Sequence, residues 1–399
     1  MVLKKQDILD IESDKNQPNF RRRNPFGIFL VLSYPIIQAI IWILGKKVRP
    51  ENLAQKVGDK RESILIYQSY QVGDFFMALP AIIKLSGNFK VTVLCRKDCQ
   101  FVLNNLGIDS LVHENTFLAS SGLSTFINTI KSSLILRQAI ANINPILSLD
   151  FESDPRTAIF LKIAGAPWTI SYTRSFGWFF DQTFPLTLNR SHQSEKSIAI
   201  SIEIQKIFSK FIPKGILDSE KNNHEANSEK KDFQKGSNYF ILSCWTRKEE
   251  KNWPFQYWNE VLKFISGKKI SVQIVVPPEK NSDFLNFKIR WEKKSGISFF
   301  EGDLKAIYQI TSMSRGIIAT DNFLGHMGAY LKKPVFWING SSNPLHVGPL
   351  SPKIKIVQFD PMPCRPCYHR CSNPIHIQCL KELKPKYVIE QLKEWVTSL

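Results

Sequence analysis

The sequence is short of acidic residues: 35 aspartates and glutamates stand against 53 lysines and arginines, which leaves a formal net charge of +18. Such an excess predicts an anionic partner, which is either a membrane surface, a nucleic acid or a phosphorylated substrate. The sequence carries none of the recognised nucleic-acid-binding motifs, so we expect no nucleic acid partner. A membrane surface and a phosphorylated substrate are the preferred partners.

Cysteine is also scarce, with seven residues in a chain of 399. A secreted disulfide protein spreads its cysteines through the chain, whereas four of these seven crowd near the C-terminus. We therefore expect a reducing, cytoplasmic compartment. A signal peptide is not expected, because the N-terminal apolar run lies too deep in the chain and lacks a small-residue cleavage site.

One long apolar run is present at 25–44, between basic residues at 21–23 and 46–47. Roughly 20 apolar residues are about the length that spans a bilayer. Pro35 and the polar residues within the run favour a broken helix that lies in the membrane interface. A full span and a helix packed on the soluble domain are the alternatives. The flanking basic residues suit anionic lipid heads.

Downstream of residue 61, short buried strands alternate with helices, a pattern that predicts parallel, doubly wound α/β sheets. A charged and polar stretch at 219–237 is typical of a flexible linker or a long surface loop. We therefore predict a polar N-terminus with the hydrophobic membrane-associated segment at 1–61, an α/β domain at 62–218, the linker, and a second α/β domain at 238–399.

Polar side chains follow two strands of the first predicted domain. Gly73 and Asp74 lie in the turn after a buried strand at 63–67. A carboxylate there either caps the following helix or acts as a general base toward a hydroxyl. Asp150 ends a later strand and Arg156 lies in the helix after it; either these face a ligand or they are solvated loop charges.

The second predicted domain offers a cation after its first strand. Thr246 and Lys251 lie in the loop that follows a strand at 239–244. Lysine is a point charge able to neutralise a diphosphate, and the threonine hydroxyl is a donor to phosphate. A solvated lysine in a lysine-rich loop is the alternative.

A strand–turn–helix unit follows later in the same domain. A buried strand at 316–320 leads into a turn at 321–325, and we predict a helix from His326. Ligands of such units bind where strands end and helices begin, and the free N–H groups there attract phosphate. An ordinary structural unit, with Asn322 as a cap and His326 as a packing residue, is the alternative.

The C-terminal cysteines form a cluster of their own. Cys-x2-Cys with two further cysteines matches the number of ligands that a structural zinc ion requires. A reduced or disulfide-linked structural knot is the alternative. The predicted metal ligands are Cys364, Cys367, Cys371 and Cys379.

The order of these motifs resembles glycosyltransferase family 9, the ADP-heptose:lipopolysaccharide heptosyltransferases. The resemblance runs from about residue 63 to 396, apart from 219–237. It differs at Phe323, where the family has glycine, and at the end of strand 239–244, where the family's Pro-Gly-Ala is missing. The matching positions are Gly73, Asp74, Leu79, Pro80, Lys251, Trp253, Pro254, Asp321, His326, Met327, Ala329, Lys333, Pro334 and Val335.

The resemblance implies the GT-B architecture: two Rossmann-like domains facing a cleft, with the donor on the C-terminal domain and the acceptor on the N-terminal one. It implies an inverting transfer of a heptose or related sugar from a nucleoside-diphosphate sugar such as ADP-heptose. The implied acceptor is a lipopolysaccharide core or similar lipid-linked saccharide at the cytoplasmic face of a bacterial inner membrane, and no cofactor is required. A non-catalytic nucleotide-sugar or lipid-head binding protein on the same fold is the first alternative, favoured by Phe323 and by the missing Pro-Gly-Ala. A membrane-tethered assembly factor is the second alternative.

The resemblance also assigns roles to single residues. Asp74 is then the catalytic base, and either Glu279 or Asp283 is the acid that contacts the donor's ribose. The expected donor-binding residues are Thr246, Lys251, Glu279, Asp321, Asn322, Gly325 and His326, and the expected acceptor-binding residues are Gly73, Asp150 and Arg156.

Overall fold

The computed structural model describes residues 39, 61–114, 123–173, 177–185, 192–209, 238–278, 282–367 and 371–399. The predicted linker at 219–237 and the apolar run at 25–44, except residue 39, lie outside these ranges, so the linker's flexibility and the membrane association stay predictions. Within the described ranges, no helix has both the length and the apolar character needed to cross a membrane.

The chain divides into two compact units. The short stretch that carries Asp74 groups with the second unit, not with the first. The first unit comprises Met1–Tyr70, Ala78–Asn189 and Ser194–His224, and the second comprises Gln71–Met77, Arg190–Gln193 and Glu225–Leu399.

The first sheet has six parallel strands: β1 (Ser63–Gln68), β2 (Lys90–Cys95), β3 (Asp109–Val112), β4 (Leu147–Asp150), β5 (Thr169–Tyr172) and β6 (Gln182–Phe184). Their order is β3-β2-β1-β4-β5-β6. Residues 64–67 of the central β1 are apolar and fully buried, as expected for a parallel strand covered on both faces. The accompanying helices are α1 (Val72–Ser86), α2 (Gln100–Asn105), α3 (Leu123–Ile143), α4 (Pro155–Ile163) and α5 (Gln193–Ser209).

The second sheet repeats this plan with β7 (Tyr239–Ser243), β8 (Ser271–Val275), β9 (Ile297–Phe300), β10 (Gly316–Thr320), β11 (Val335–Ile338) and β12 (Ile354–Val357), all paired in parallel. Their order is β12-β11-β10-β7-β8-β9. The helices are α6 (Phe255–Gly267), α7 (Ser282–Trp291), α8 (Leu304–Met313), α9 (Phe323–Tyr330), α10 (Pro344–Val347), α11 (Gln378–Lys381) and α12 (Pro385–Thr397).

Both sheets have the strand order of a doubly wound nucleotide-binding fold, in which the first and fourth strands lie side by side. The chain leaves these two strands in opposite directions, so their carboxyl ends open a crevice in which ligands bind. In the second unit the crevice lies at the ends of β7 and β10, where Ile241 is in register with Ile317. The loops that follow these two strands are therefore the expected donor site.

The helix after β10 begins three residues earlier than the sequence suggests, at Phe323 instead of His326. Asn322 causes the difference, because its side chain accepts a hydrogen bond from the backbone N–H of Leu324 and so caps the helix there. His326 consequently lies in the second turn of α9, and Phe323 occupies its first position.

Candidate active site

Asn322 joins the ends of the two central strands in the second unit. Its Oδ1 accepts a hydrogen bond from Leu324 N at 3.0 Å, and its Nδ2 donates to Ser243 Oγ at 2.8 Å. One side chain therefore fixes both the start of α9 and the end of β7. These contacts confirm Asn322 as a cap, and its role toward a donor stays a prediction.

Asp321 and Lys251 form an ion pair at the same place. Lys251 Nζ lies 2.9 Å from Asp321 Oδ2, and the Asp321 side chain is only 4% exposed against 20% for Lys251. An ion pair this far from water is screened less than a surface pair. The ammonium group retains further N–H donors, so it offers a fixed positive charge to an anion beside it.

Hydrogen bonds stabilise both ends of the loop that carries Lys251. Asn252 Oδ1 accepts from Thr246 N at 2.7 Å and Asn252 Nδ2 donates to Thr246 O at 2.8 Å, which closes the loop. Trp253 is buried, and its indole N–H donates to Leu383 O at 2.9 Å. The Thr246 hydroxyl donates to Lys248 O at 2.9 Å, so its predicted contact with phosphate stays a prediction.

Asp74 lies in the first turn of α1, in the stretch that belongs to the second unit. Its Oδ2 accepts a hydrogen bond from Gln71 N at 3.3 Å, as a carboxylate in the first turn of a helix often does. The pKa of Asp74 is raised to about 6: burial is the largest cause and the charge of Asp321 adds to it, whereas the Gln71 hydrogen bond and the charge of Lys251 act in the opposite direction. The carboxylate is therefore ionised at neutral pH but more basic than a solvated aspartate.

Gly73 brings this turn close to α9. A Cβ atom added at Gly73 would lie 3.1 Å from His326 Cδ2 and 3.8 Å from the Cα of Phe323. Only a residue without a side chain allows this approach unless His326 shifts. Burial lowers the pKa of His326 to about 4, so this imidazole is neutral at neutral pH.

These groups together suit a specific chemistry. A carboxylate with a pKa of about 6 can accept a proton from a hydroxyl group. A lysine ammonium and the N-terminus of α9 can stabilise a phosphate that gains negative charge. A base next to an anion-stabilising group is what the transfer of a sugar from a nucleotide to a hydroxyl requires.

The family model for glycosyltransferase family 9 (heptosyltransferase) matches residues 147–376, which is more than half of the chain. The chain belongs to glycosyltransferase family 9. It is therefore a glycosyltransferase, and its second unit, with the Lys251–Asp321 pair, falls largely within the matched region. Comparison with curated protein sequences gives no match.

Solved structures of family 9 share the fold. The glycosyltransferase family 9 structure from Veillonella parvula aligns with a TM-score of 0.64 at 14% identity, covering 86% of this chain and 100% of that one. E. coli ADP-heptose lipopolysaccharide heptosyltransferase II gives a TM-score of 0.60 at 16% identity, covering 84% and 99%. E. coli heptosyltransferase WaaC with ADP gives 0.60 at 13% identity, with the same coverage. The two parallel-sheet α/β domains thus resemble the GT-B heptosyltransferase structures.

Gly325 and Glu279 are two further residues that the resemblance to family 9 predicts to bind the donor. Gly325 is buried, and a Cβ atom added there would lie 2.8 Å from Pro349 Cγ and 3.5 Å from Trp337 Cδ1. The glycine therefore lets α9 pack closely, and its contact with a donor stays a prediction. Glu279 lies outside the described residues, so its role as the ribose-binding acid also stays a prediction.

Asp150 and Arg156 lie in the first unit and have structural partners there. Asp150 is fully buried, and it accepts hydrogen bonds from Tyr70 Oη at 2.9 Å and from the backbone N–H of Asp154 at 2.9 Å. Burial raises its pKa to about 7. Arg156 pairs with the Asp154 carboxylate at 2.5 Å. Both residues shape the loop after β4, and their contact with an acceptor stays a prediction.

The C-terminal cysteines are all free thiols in the structure. The pKa of Cys367 is raised to about 11, mainly by burial and in smaller part by the neighbouring thiols of Cys371, Cys364 and Cys379. Even so, among the residues the structure describes, no group of three or more histidine, cysteine or acidic side chains is arranged to hold a metal ion. The predicted zinc site at Cys364, Cys367, Cys371 and Cys379 therefore receives no support from this geometry.

Sequence reasoning missed two residues that shape the site. Asn252 closes the loop of Lys251 through its two bonds to Thr246. Ser342, after β11, donates a hydrogen bond to Asp321 Oδ2. The sequence carried a signal for the second residue, since the polar run 339–343 follows a buried strand that neighbours β10.

Proposed function

We propose that this family 9 glycosyltransferase transfers a heptose or related sugar from a nucleoside-diphosphate sugar, with ADP-heptose as the first candidate. The proposed acceptor is a lipopolysaccharide core or similar lipid-linked saccharide. The observation that carries the proposal is the placement of Asp74 in the same unit as Lys251 and Asp321, whose charges both act on its pKa. The two E. coli neighbours support this choice of substrates: one is an ADP-heptose lipopolysaccharide heptosyltransferase, and the other is a heptosyltransferase whose structure was solved with ADP.

The proposed reaction is a single displacement at the anomeric carbon. The acceptor hydroxyl attacks that carbon while its proton passes to the Asp74 carboxylate. The bond from the anomeric carbon to the diphosphate oxygen breaks, and its electron pair leaves with the nucleoside diphosphate. Lys251 and the first turn of α9 stabilise the charge that develops there. One displacement inverts the configuration of the sugar, and none of these steps requires a cofactor.

Replacement of the base tests the proposal. The donor for the assay is chosen by a thermal-shift screen of ADP-, GDP- and UDP-sugars, since a bound ligand raises the melting temperature. We expect Asp74→Asn to lower kcat by about 10²–10⁴-fold, because the amide accepts no proton. Donor affinity should change little, and NMR of the wild-type product should show inverted configuration.

Glu260→Gln is the matched control for this experiment, because it makes the same acid-to-amide change at an exposed residue that pairs only with a neighbouring lysine on α6. It should keep wild-type kcat. Near-normal turnover in Asp74→Asn would remove Asp74 from the role of base.

A non-catalytic sugar-nucleotide or lipid-head binding protein on the same fold is the second candidate. Phe323 favours it, because this residue occupies the first position of α9, where the family has the glycine that lets a phosphate approach the backbone. The two candidates differ in turnover. Donor binding with neither transfer nor hydrolysis by the wild-type protein would select the binding protein.

We also propose that the enzyme works at the cytoplasmic face of a bacterial inner membrane. The apolar run at 25–44 and its basic flanks support this location. A lipid-linked acceptor would be presented at such a surface.

A further inference from the structure

The loop after β11 reaches the ion pair of the active site. Ser342 is fully buried, and its hydroxyl donates a hydrogen bond to Asp321 Oδ2. The same oxygen lies 2.9 Å from Lys251 Nζ. Asp321 Oδ2 therefore accepts a hydrogen bond from the neutral Ser342 hydroxyl and also pairs with the Lys251 ammonium.

The loop that carries Ser342 is itself held by its backbone. The carbonyl groups of consecutive loop residues each accept a hydrogen bond from a group outside the 340–342 turn. The donors are Arg365 Nε to Gly340 O at 2.8 Å, Cys367 N to Ser341 O at 3.0 Å and Asn339 Nδ2 to Ser342 O at 2.9 Å. The Ser342 hydroxyl is thus presented from a fixed position.

We propose that Ser342 is a positioning residue for sugar transfer, which acts on Lys251 through Asp321. With both donors in place, the Asp321 carboxylate has one orientation, and the ammonium is held where its other N–H groups meet the leaving diphosphate. Without the hydroxyl, the carboxylate can rotate and the lysine moves with it. This inference rests on the proposed function, because it assumes that Lys251 stabilises a diphosphate.

The expected effect concerns the charge that appears during the reaction. A misplacement of about 1 Å near the reacting atoms can lower a rate by about 10²-fold. We therefore expect Ser342→Ala to lower kcat by about 10- to 100-fold and to change the donor KM less than about threefold, since that charge is absent in the ground state. ADP carries the full charge of the leaving group, so its Kd should rise by about tenfold.

The experiment compares single and double variants of the full-length protein. Ser342→Ala, Lys251→Ala and the double variant form a cycle, with kcat, donor KM and ADP Kd by calorimetry as readouts. In the Lys251→Ala background, loss of the hydroxyl should change kcat and ADP affinity less than twofold. Ser342→Thr keeps the hydroxyl and should retain most of the wild-type kcat.

Two further variants protect the test against folding effects. Ser314→Ala is the matched control, because Ser314 is also buried and its hydroxyl donates to the backbone carbonyl of Thr311 at 2.8 Å. It should leave kcat and ADP affinity unchanged. Ser342→Cys, which keeps the volume and offers only a weak donor, replaces the alanine variant if that variant does not fold.

Wild-type kcat and ADP affinity in Ser342→Ala would overturn the inference. So would effects that multiply in the double variant, or a Ser342→Thr variant that loses as much activity as alanine at an unchanged melting temperature. The ADP measurements separate this failure from failure of the proposed function. If the wild-type protein transfers no sugar but its ADP affinity follows the predicted cycle, the proposed reaction is rejected. The role of Ser342 in positioning Lys251 toward a diphosphate then still stands.

Discussion

At the scale of single residues, the two carboxylates of the candidate active site, Asp321 and Asp74, have different surroundings. Asp321 has a lysine at 2.9 Å and a serine hydroxyl on the same oxygen. Asp74 has a backbone N–H as its hydrogen-bond partner and feels Lys251 only as a nearby charge. Two acids whose environments differ in this way suit different roles. In the proposed reaction, Asp321 holds the Lys251 ammonium and Asp74 accepts the proton.

The pH dependence of transfer should report Asp74. Its protonated form accepts no proton, so kcat/KM should fall as the pH drops through about 6. The positive charge of Lys251 favours the ionised carboxylate, so Lys251→Met should raise the pKa and move this acidic limb to higher pH. The same change should lower kcat by about 10²–10³-fold, as loss of a group that stabilises developing charge does. Rate profiles between pH 4.5 and 9 measure both effects.

Lys263→Met is the control for the pH profile, because Lys263 is an exposed lysine paired with Glu260 on the surface of α6. Its profile should superimpose on that of the wild type. An acidic limb that stays in place, or moves to lower pH, in Lys251→Met would contradict the assignment of the limb to Asp74.

At the scale of elements, the first turn of α1, which carries Asp74, approaches α9, whose N-terminal turn is the proposed phosphate site. Gly73 makes that approach possible, because a Cβ atom there would come within 3.1 Å of the His326 ring. The imidazole lies in the second turn of α9, and that helix is fixed by its cap and by its close packing at Gly325 and Gly328. The position of Asp74 thus depends on the packing of the first turn of α1 against α9.

Gly73→Ala should therefore impair catalysis without unfolding the protein. The added methyl group displaces His326 or the first turn of α1 by a few tenths of an ångström, which should lower kcat by about three- to tenfold. Gly267→Ala is the matched control, since nothing lies within 4 Å of a Cβ atom at this end of α6. Steady-state kinetics and melting temperatures of both variants provide the measurement. Equal kcat values for the two variants would argue against a tight contact.

Sequence patterns predicted the positions of helices and strands better than the side-chain contacts between them. The buried strand at 316–320 coincides with β10, because short apolar runs bounded by polar residues are a local signal. The start of α9 was misplaced because the capping role of Asn322 depends on a side-chain bond that no periodicity shows. The contact of Ser342 with Asp321 joins residues 21 positions apart and depends on the order of strands in the sheet. Such contacts follow only from the tertiary structure.

At the scale of the whole molecule, the net positive charge of the chain predicts an anionic partner beyond the donor. A net charge of +18 exceeds what one nucleoside-diphosphate site can use. Basic residues next to an apolar run attract anionic lipid heads by about 1 kcal/mol each near a membrane surface. If the proposed lipid-linked acceptor is correct, the basic flanks at 21–23 and 46–47 are expected to bring the enzyme to the membrane that presents it.

Vesicle binding tests this role of the flanks. We expect the full chain to float with vesicles of phosphatidylglycerol and phosphatidylcholine, and to bind at least tenfold more weakly when the five flanking basic residues become glutamine. Raising the salt from 0.15 to 0.5 M should weaken binding by the wild type, because charge attraction is screened. The control removes the same charge from exposed sites elsewhere, by glutamine at Lys263, Lys268, Lys269, Lys293 and Lys294. Equal binding by the two variants would show that only total charge matters.

The contact between Gly73 and His326 also constrains how this sequence can evolve. A Cβ atom at residue 73 would lie 3.1 Å from His326 Cδ2, so the imidazole or the first turn of α1 has to shift by a few tenths of an ångström. Substitution of the glycine should therefore cost least where a smaller residue has replaced the histidine. Across distant descendants of one ancestor, a side chain at position 73 should therefore occur mainly together with a smaller residue at position 326.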